Sequence, residues 1–126
     1  MDDVQSRALS LTLSGQCCAQ VLVSLALEDR GRDNPDFVEH VAPLCLGLQS
    51  GLTCGALSGG LMALSLLRTD GVDEQTGRAY VDWFVAEFGS SECGQLVGDD
   101  MALRAARCPG MVVDSYLHAR EIAGAG

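Results

Sequence analysis

Apolar residues in this chain recur at helical spacing, in stretches of helix length. Leu, Ala and Val dominate them, and no segment shows the two-residue alternation of a half-buried strand. The pattern predicts an all-α fold, a compact bundle of about five to seven helices around a buried central helix.

Val4, Ala8, Leu9, Leu11 and Leu13 predict a first helix over residues 3–13, with Asp2 and Asp3 at its N-terminus. Ser14-Gly15 breaks it. A second helix starts within residues 16–18 and runs to about Glu28, burying Ala19, Val21, Leu22, Leu25 and Ala26. Residues 29–33 form a charged loop. Asn34-Pro35 marks a third helix, with Asn34 as N-cap and Pro35 in the first turn. Phe37, Val38 and Val41 make its apolar face, and Pro43 ends or kinks it.

Residues 41–67 are the longest uncharged run. The run has the length of a membrane span. Pro43, Gly47, Gln49, Ser50, Gly51 and Thr53 interrupt it, and no Lys/Arg asymmetry flanks it, so no membrane span is expected. It reads as a short helix, a Gly-rich turn over 47–53, and the central helix over 54–67. Gly55 with Gly59, and Ala56 with Gly60, put small residues four apart on that helix, where another backbone can approach.

Asp70, Asp73 and Glu74 lack EF-hand spacing, so residues 69–77 read as a solvated polar loop. A fifth helix over 78–88 carries the stripe Tyr80, Val81, Phe84, Val85 and Phe88, with Trp83 at its edge. Gly89 stops it. A short helix follows and ends at Gly98, and Asp99-Asp100 opens another turn or two. Cys108-Pro109 then restarts the chain, with Pro109 at the first position of a last helix over 109–123. Residues 124–126 read as a frayed tail.

A length of 126 residues fits one domain over 1–126, large enough to bury a core without disulfide staples. An apolar content of 48% argues against disorder. A formal charge of -9 excludes nucleic acid or anionic lipid bound through bulk electrostatics. The first residues lack a basic segment followed by an apolar one, so a cytoplasmic location is expected. Six cysteines in a reducing compartment point to metal binding or redox chemistry rather than to structural bridges.

Cys17/Cys18, Cys54, Cys93 and Cys108 each fall at a predicted helix N-terminus. Free N–H groups and the positive end of the helix dipole favour a thiolate there, and would stabilise an anionic metal–thiolate centre. Cys45, inside an apolar run, reads as a small core residue. Cys17 stays open between a spare neighbour and a redox participant, and a Cys17–Cys18 bridge would be strained. There is no C-x-x-C pair, which weighs against thioredoxin-like and zinc-ribbon readings. His40 and His118 are metal ligands by residue type alone, and both sit among residues expected to be exposed.

Several pieces of the chain, in order, carry a resemblance. They are Gly15-Gln16-Cys17-Cys18-Ala19-Gln20-Val21-Leu22, Thr53-Cys54-Gly55-Ala56-Leu57-Ser58-Gly59-Gly60, Gly89-Ser90-Ser91-Glu92-Cys93, Leu96-Val97-Gly98 and Cys108. The chain resembles the family of redox-active proteins named for a C, GCAxxG, C and C cysteine pattern. It is also similar to the C-terminal module of split-Soret cytochromes. The resemblance implies a helical domain with a cysteine-based redox role, its family cysteines being Cys18, Cys54, Cys93 and Cys108. In the split-Soret relatives the equivalent cysteines are associated with an iron–sulfur centre. The chain departs from the pattern at Cys17, where a polar residue, usually Asn, is common, and at the extra Cys45. It also lacks the C-x-x-C-H motif of haem attachment.

The expectation is an electron-transfer protein with an iron–sulfur cluster, [2Fe–2S] in form, on Cys18, Cys54, Cys93 and Cys108. Gly55 and Gly59 would admit backbone N–H groups to the sulfurs and tune the potential. Two alternatives stand beside it. One is a cluster-free thiol–disulfide protein using pairs such as Cys18–Cys54 and Cys93–Cys108. The other is a structural zinc site in an interaction module. A redox partner protein is implied, and an exposed small-residue or apolar face would support a homodimer.

Overall fold

The computed structural model describes residues 3–68 and 70–125. Asp2, Thr69 and Gly126 lie outside the described residues. The chain is all-α, with seven α-helices among those residues: α1 (Val4–Leu13), α2 (Cys18–Asp29), α3 (Pro35–Val41), α4 (Gly55–Leu67), α5 (Glu74–Phe88), α6 (Cys93–Leu96) and α7 (Met101–Ala125). Local chemistry accounts for most of their ends. The Asp3 carboxylate accepts the Ser6 N–H at 3.0 Å, and Asn34 accepts that of Phe37 at 3.1 Å. Gly89 closes α5 in the left-handed region, at φ 98°.

Two helices are longer than the sequence predicts. α5 begins at Glu74 because Asp73 is an N-cap, its carboxylate accepting the Thr76 N–H at 2.7 Å. Residues 74–77 are therefore a helix start, whereas 70–73 stay outside a helix with Asp70 and Asp73 exposed, as a solvated loop requires. α7 begins at Met101, capped by Asp100, and runs through Pro109 to Ala125. The predicted restart at Cys108-Pro109 and the frayed Gly124-Ala125 are both corrected. Proline inside a helix removes one backbone donor and crowds the preceding turn. Two side chains tie down the half before it. Arg104 donates to the Gly98 carbonyl at 2.6 Å, and Arg107 to those of Leu96 and Phe88 at 3.0 and 3.2 Å.

α4 is the buried central helix and packs against α2, α5 and α7. A Cβ at Gly59 would come 2.7 Å from the Ala19 Cα, so glycine is what lets the α2 and α4 backbones meet. α7 covers another side of α4 with Met111, Val112, Tyr116 and Ala119. The buried tyrosine hydroxyls are satisfied: Tyr80 donates to the Ser115 carbonyl at 2.7 Å, and Tyr116 to that of Leu25 at 3.1 Å and to the Asp29 carboxylate. Val85, predicted in the α5 stripe, lies at the surface instead. A smaller core gathers Ala19, Val23, Leu27, Val41 and Cys45.

The turn between α3 and α4 departs from common backbone geometry. A 3₁₀ turn (Ala42–Leu44) leads to a π-type turn (Gly47–Gly51). Leu46, Leu48 and Gln49 all sit at positive φ (58°, 61° and 61°). For non-glycine residues this conformation costs about 1–3 kcal/mol each, and it persists only where surrounding contacts enforce it. Here the Leu52 N–H bonds the Gly47 carbonyl at 2.8 Å, and the Cys93 N–H bonds the Leu52 carbonyl at 2.6 Å. No helix among the described residues is long and apolar enough to cross a membrane.

Candidate functional site

Four cysteines from four helices line one cavity of about 520 Å³. Cys18 is the first residue of α2, Cys54 is the N-cap of α4, Cys93 opens α6, and Cys108 lies midway along α7. The rest of the wall is largely apolar, with Val21, Val97, Met111 and Val112 inside and the exposed Leu9 and Leu46 at its edge. Cys54 and Cys93 are buried, whereas Cys18 and Cys108 are half-buried. All four are free thiols. Gly55 shapes one side of the cavity. A Cβ there would lie 3.3 Å from the Cys45 Cα and 3.5 Å from the Cys18 Cβ.

The thiols differ in acidity. Cys18 and Cys108 stand on the same cavity wall, and interaction with the Cys108 sulfur, together with burial, pushes Cys18 well up. The same interaction pulls Cys108 down to about 7, against burial and with help from the Arg104 and Arg107 guanidiniums. Burial raises Cys54, while the N–H groups of Ala56 and Leu57 oppose it and the Cys93 and Cys108 charges add to it. Burial also raises Cys93, with Arg104 opposing and Cys108 adding. The chamber thus holds one thiolate-prone sulfur beside three held as neutral thiols. Among the described residues, no three of these sulfurs lie within 4.8 Å of one another.

Residues 16–122 match the family described as "Putative redox-active protein (C_GCAxxG_C_C)". The chain belongs to this family. The match spans Cys18, Cys54, Cys93 and Cys108. No curated protein and no solved structure matches the chain.

Within the family pattern, three cysteines occupy helix starts as the sequence predicts, and Cys108 does not. Its thiolate is favoured by Cys18, Arg104 and Arg107 rather than by a helix N-terminus. Arg104 stands one turn before Cys108 and lines the cavity, a spacing visible in the sequence but not singled out there. Gly55 is on the cavity wall. Gly59 is not, since it faces Ala19 and Leu22 across the helix contact.

The two cysteines outside the pattern are joined. Cys17 and Cys45 form a disulfide with their Cα atoms 6.2 Å apart. Cys45 is buried, as expected of a core residue, but it is bonded rather than free. The anticipated pairs Cys18–Cys54 and Cys93–Cys108 are not bonded. Both histidines lie elsewhere. His118 is half-buried, not exposed, and stacks on Trp83 at 4.0 Å between centroids; burial lowers its pKa, with Glu121 and Glu87 opposing. His40 forms an exposed group with Asp36 and Glu39.

Proposed function

We propose that this redox-active protein transfers electrons through an iron–sulfur cluster held by Cys18, Cys54, Cys93 and Cys108. The observation that carries the reading is the convergence of four unbonded cysteines from four helices on one largely apolar cavity. Four thiolates complete the ligand set of a [2Fe–2S] or [4Fe–4S] centre, and the resemblance to split-Soret cytochromes favours [2Fe–2S]. Coordinated iron would deprotonate the three thiols that burial and neighbouring sulfurs otherwise keep neutral. The cluster would supply one-electron chemistry. The chain's own part is to exclude water with Val21, Val97, Met111 and Val112, and to offer Arg104 and the Ala56 and Leu57 N–H groups to the sulfurs. Gly59 has no place in this ligand shell. A partner protein would take the electron at the rim, where Leu9 and Leu46 are exposed, and a second copy of the chain would use the same apolar edge. A reducing, cytoplasmic setting belongs to this proposal.

A second reading rests on Cys18 and Cys108, two free cysteines on one cavity wall, of which Cys108 is thiolate-prone and Cys18 is held as a thiol, as thiol–disulfide exchange requires. One preparation separates the readings. The protein is purified without oxygen, its visible spectrum recorded, and iron, acid-labile sulfide, zinc and free thiols assayed. Iron with matching sulfide supports the cluster. A colourless, metal-free protein able to form a Cys18–Cys108 bridge overturns it in favour of thiol exchange. One bound zinc overturns both, because a closed four-thiolate zinc site is structural.

A further inference from the structure

We propose that Cys17 and Cys45 form a second redox site, a two-electron disulfide/dithiol couple serviced by an external dithiol protein, whose oxidised state fastens residues 45–52 as a wall of the four-thiol chamber. The proposal goes beyond the cluster reading and does not rest on it.

The bridge joins the N-cap of α2 to the residue that opens the 45–52 segment. Both of its cysteines line the same cavity as the four thiols. The segment it fastens touches that site at two points. Cys45 and Cys18 both pack against Gly55, where an added Cβ would stand 3.3 Å from the Cys45 Cα and 3.5 Å from the Cys18 Cβ. Gly47 presses on Cys93, where an added Cβ would stand 2.8 Å from the Cys93 Cβ. At its far end the segment is held by the bond from the Cys93 N–H to the Leu52 carbonyl. Between these anchors lie Leu46, Leu48 and Gln49, all left-handed, with Leu46 and Leu48 exposed. Backbone in that conformation needs outside support, and the exposed leucines bury too little to supply it. The disulfide is the covalent part of the support.

The two sulfurs are unequally accessible. Cys45 is 5% exposed, whereas Cys17 is half-buried at the start of α2. An incoming thiolate therefore attacks the Cys17 sulfur. A bond forms between the incoming sulfur and Cys17 as the Cys17–Cys45 bond breaks, and Cys45 leaves as a thiolate and takes a proton. The second thiolate of the reductant then attacks its own mixed-disulfide sulfur and releases Cys17, which takes the other proton. Two electrons pass to the bridge, both protons come from the reductant's thiols, and the reductant ends as a disulfide. A dithiol protein suits this exchange because its second thiol completes the reduction.

The test uses the full chain as isolated without added reductant. Aliquots are treated with reduced thioredoxin or with dithiothreitol, then alkylated and analysed by peptide mass spectrometry, with deuterium uptake of the 45–52 peptide read in parallel. We expect Cys17 and Cys45 to change together from a bridge to two alkylated thiols. On reduction the 45–52 amides should exchange about tenfold faster, while α2 and α7 stay protected. Cys45→Ser should show the fast exchange without reductant, and Cys17→Ser provides the same reading should Cys45→Ser fail to fold. A bridge that opens only in denaturant, cysteines isolated as free thiols throughout, or exchange at 45–52 that ignores the bridge would each overturn the proposal. Failure of the cluster reading shows in iron and sulfide content, which does not enter this measurement.

Discussion

Cys18, the first residue of α2, and Cys108, two turns into α7, line the same cavity as interacting sulfurs. The pair is pushed in opposite directions, and Arg104 and Arg107 favour the charge on Cys108. In the metal-free, reduced protein Cys108 should therefore be the first of the four thiols to react with iodoacetamide, with a midpoint near neutral pH. Cys18→Ala removes the first cause of that depression, so the Cys108 midpoint should rise and its labelling at pH 7 should slow. An unchanged midpoint in this variant would show that the arginines alone set it.

Asp29 couples three elements. Burial pushes its carboxyl up, but the Tyr116 hydroxyl, Arg7 and Arg120 outweigh that and hold it below the usual carboxylate range. A carboxylate depressed on folding contributes stability that is present above its unfolded value, about 4, and is lost as pH falls through its folded value. Thermal unfolding temperature should thus drop below about pH 4. In Asp29→Asn it should be lower at pH 7 and should decline less steeply in acid. An equal acid slope in the variant would assign the effect to other carboxylates.

Gly59 and Gly77 are both helical glycines, and they predict opposite outcomes. Alanine at Gly59 would drive α2 and α4 apart, at a cost of about 1–3 kcal/mol. Alanine at Gly77, where the nearest atom is a Val72 methyl at 3.9 Å, should stabilise α5 by about 0.5–1 kcal/mol. Denaturant unfolding of the two variants checks both signs.

Pro109 distinguishes a helix interior from a helix start. In the interior of α7 its replacement by alanine restores a backbone donor and should raise stability by about 1–3 kcal/mol. At a helix start, proline is favoured and the same change would be neutral or harmful. A thermal melt of Pro109→Ala reads the difference.

Signals that act within one helical turn were legible in the chain. Asp3, Asn34-Pro35 and Gly89 mark helix ends because a cap bonds a backbone group only three or four residues away. The uncharged run over 54–67 becomes the buried α4 because its burial needs no particular partner. Cys18, Cys54 and Cys93 could be placed at helix starts for the same local reason, and the family pattern added Cys108. Where local signals conflicted, they misled. Pro109 reads as a start signal, yet Asp100 caps the helix earlier, and Arg104 and Arg107 bind carbonyls of the preceding segments.

Local signals in the chain are enough for an all-α fold, for the ends of most of its helices, and for the motif by which its family is recognised. Packing was needed to show that Cys17 bonds Cys45, that Cys18 and Cys108 share one cavity wall, and that Gly55 lines the chamber while Gly59 faces Ala19. The reason is the range of the forces. Capping and periodicity are written into neighbouring residues, whereas the meeting of distant sulfurs follows from how α2, α4, α6 and α7 pack, which only their combined burial sets.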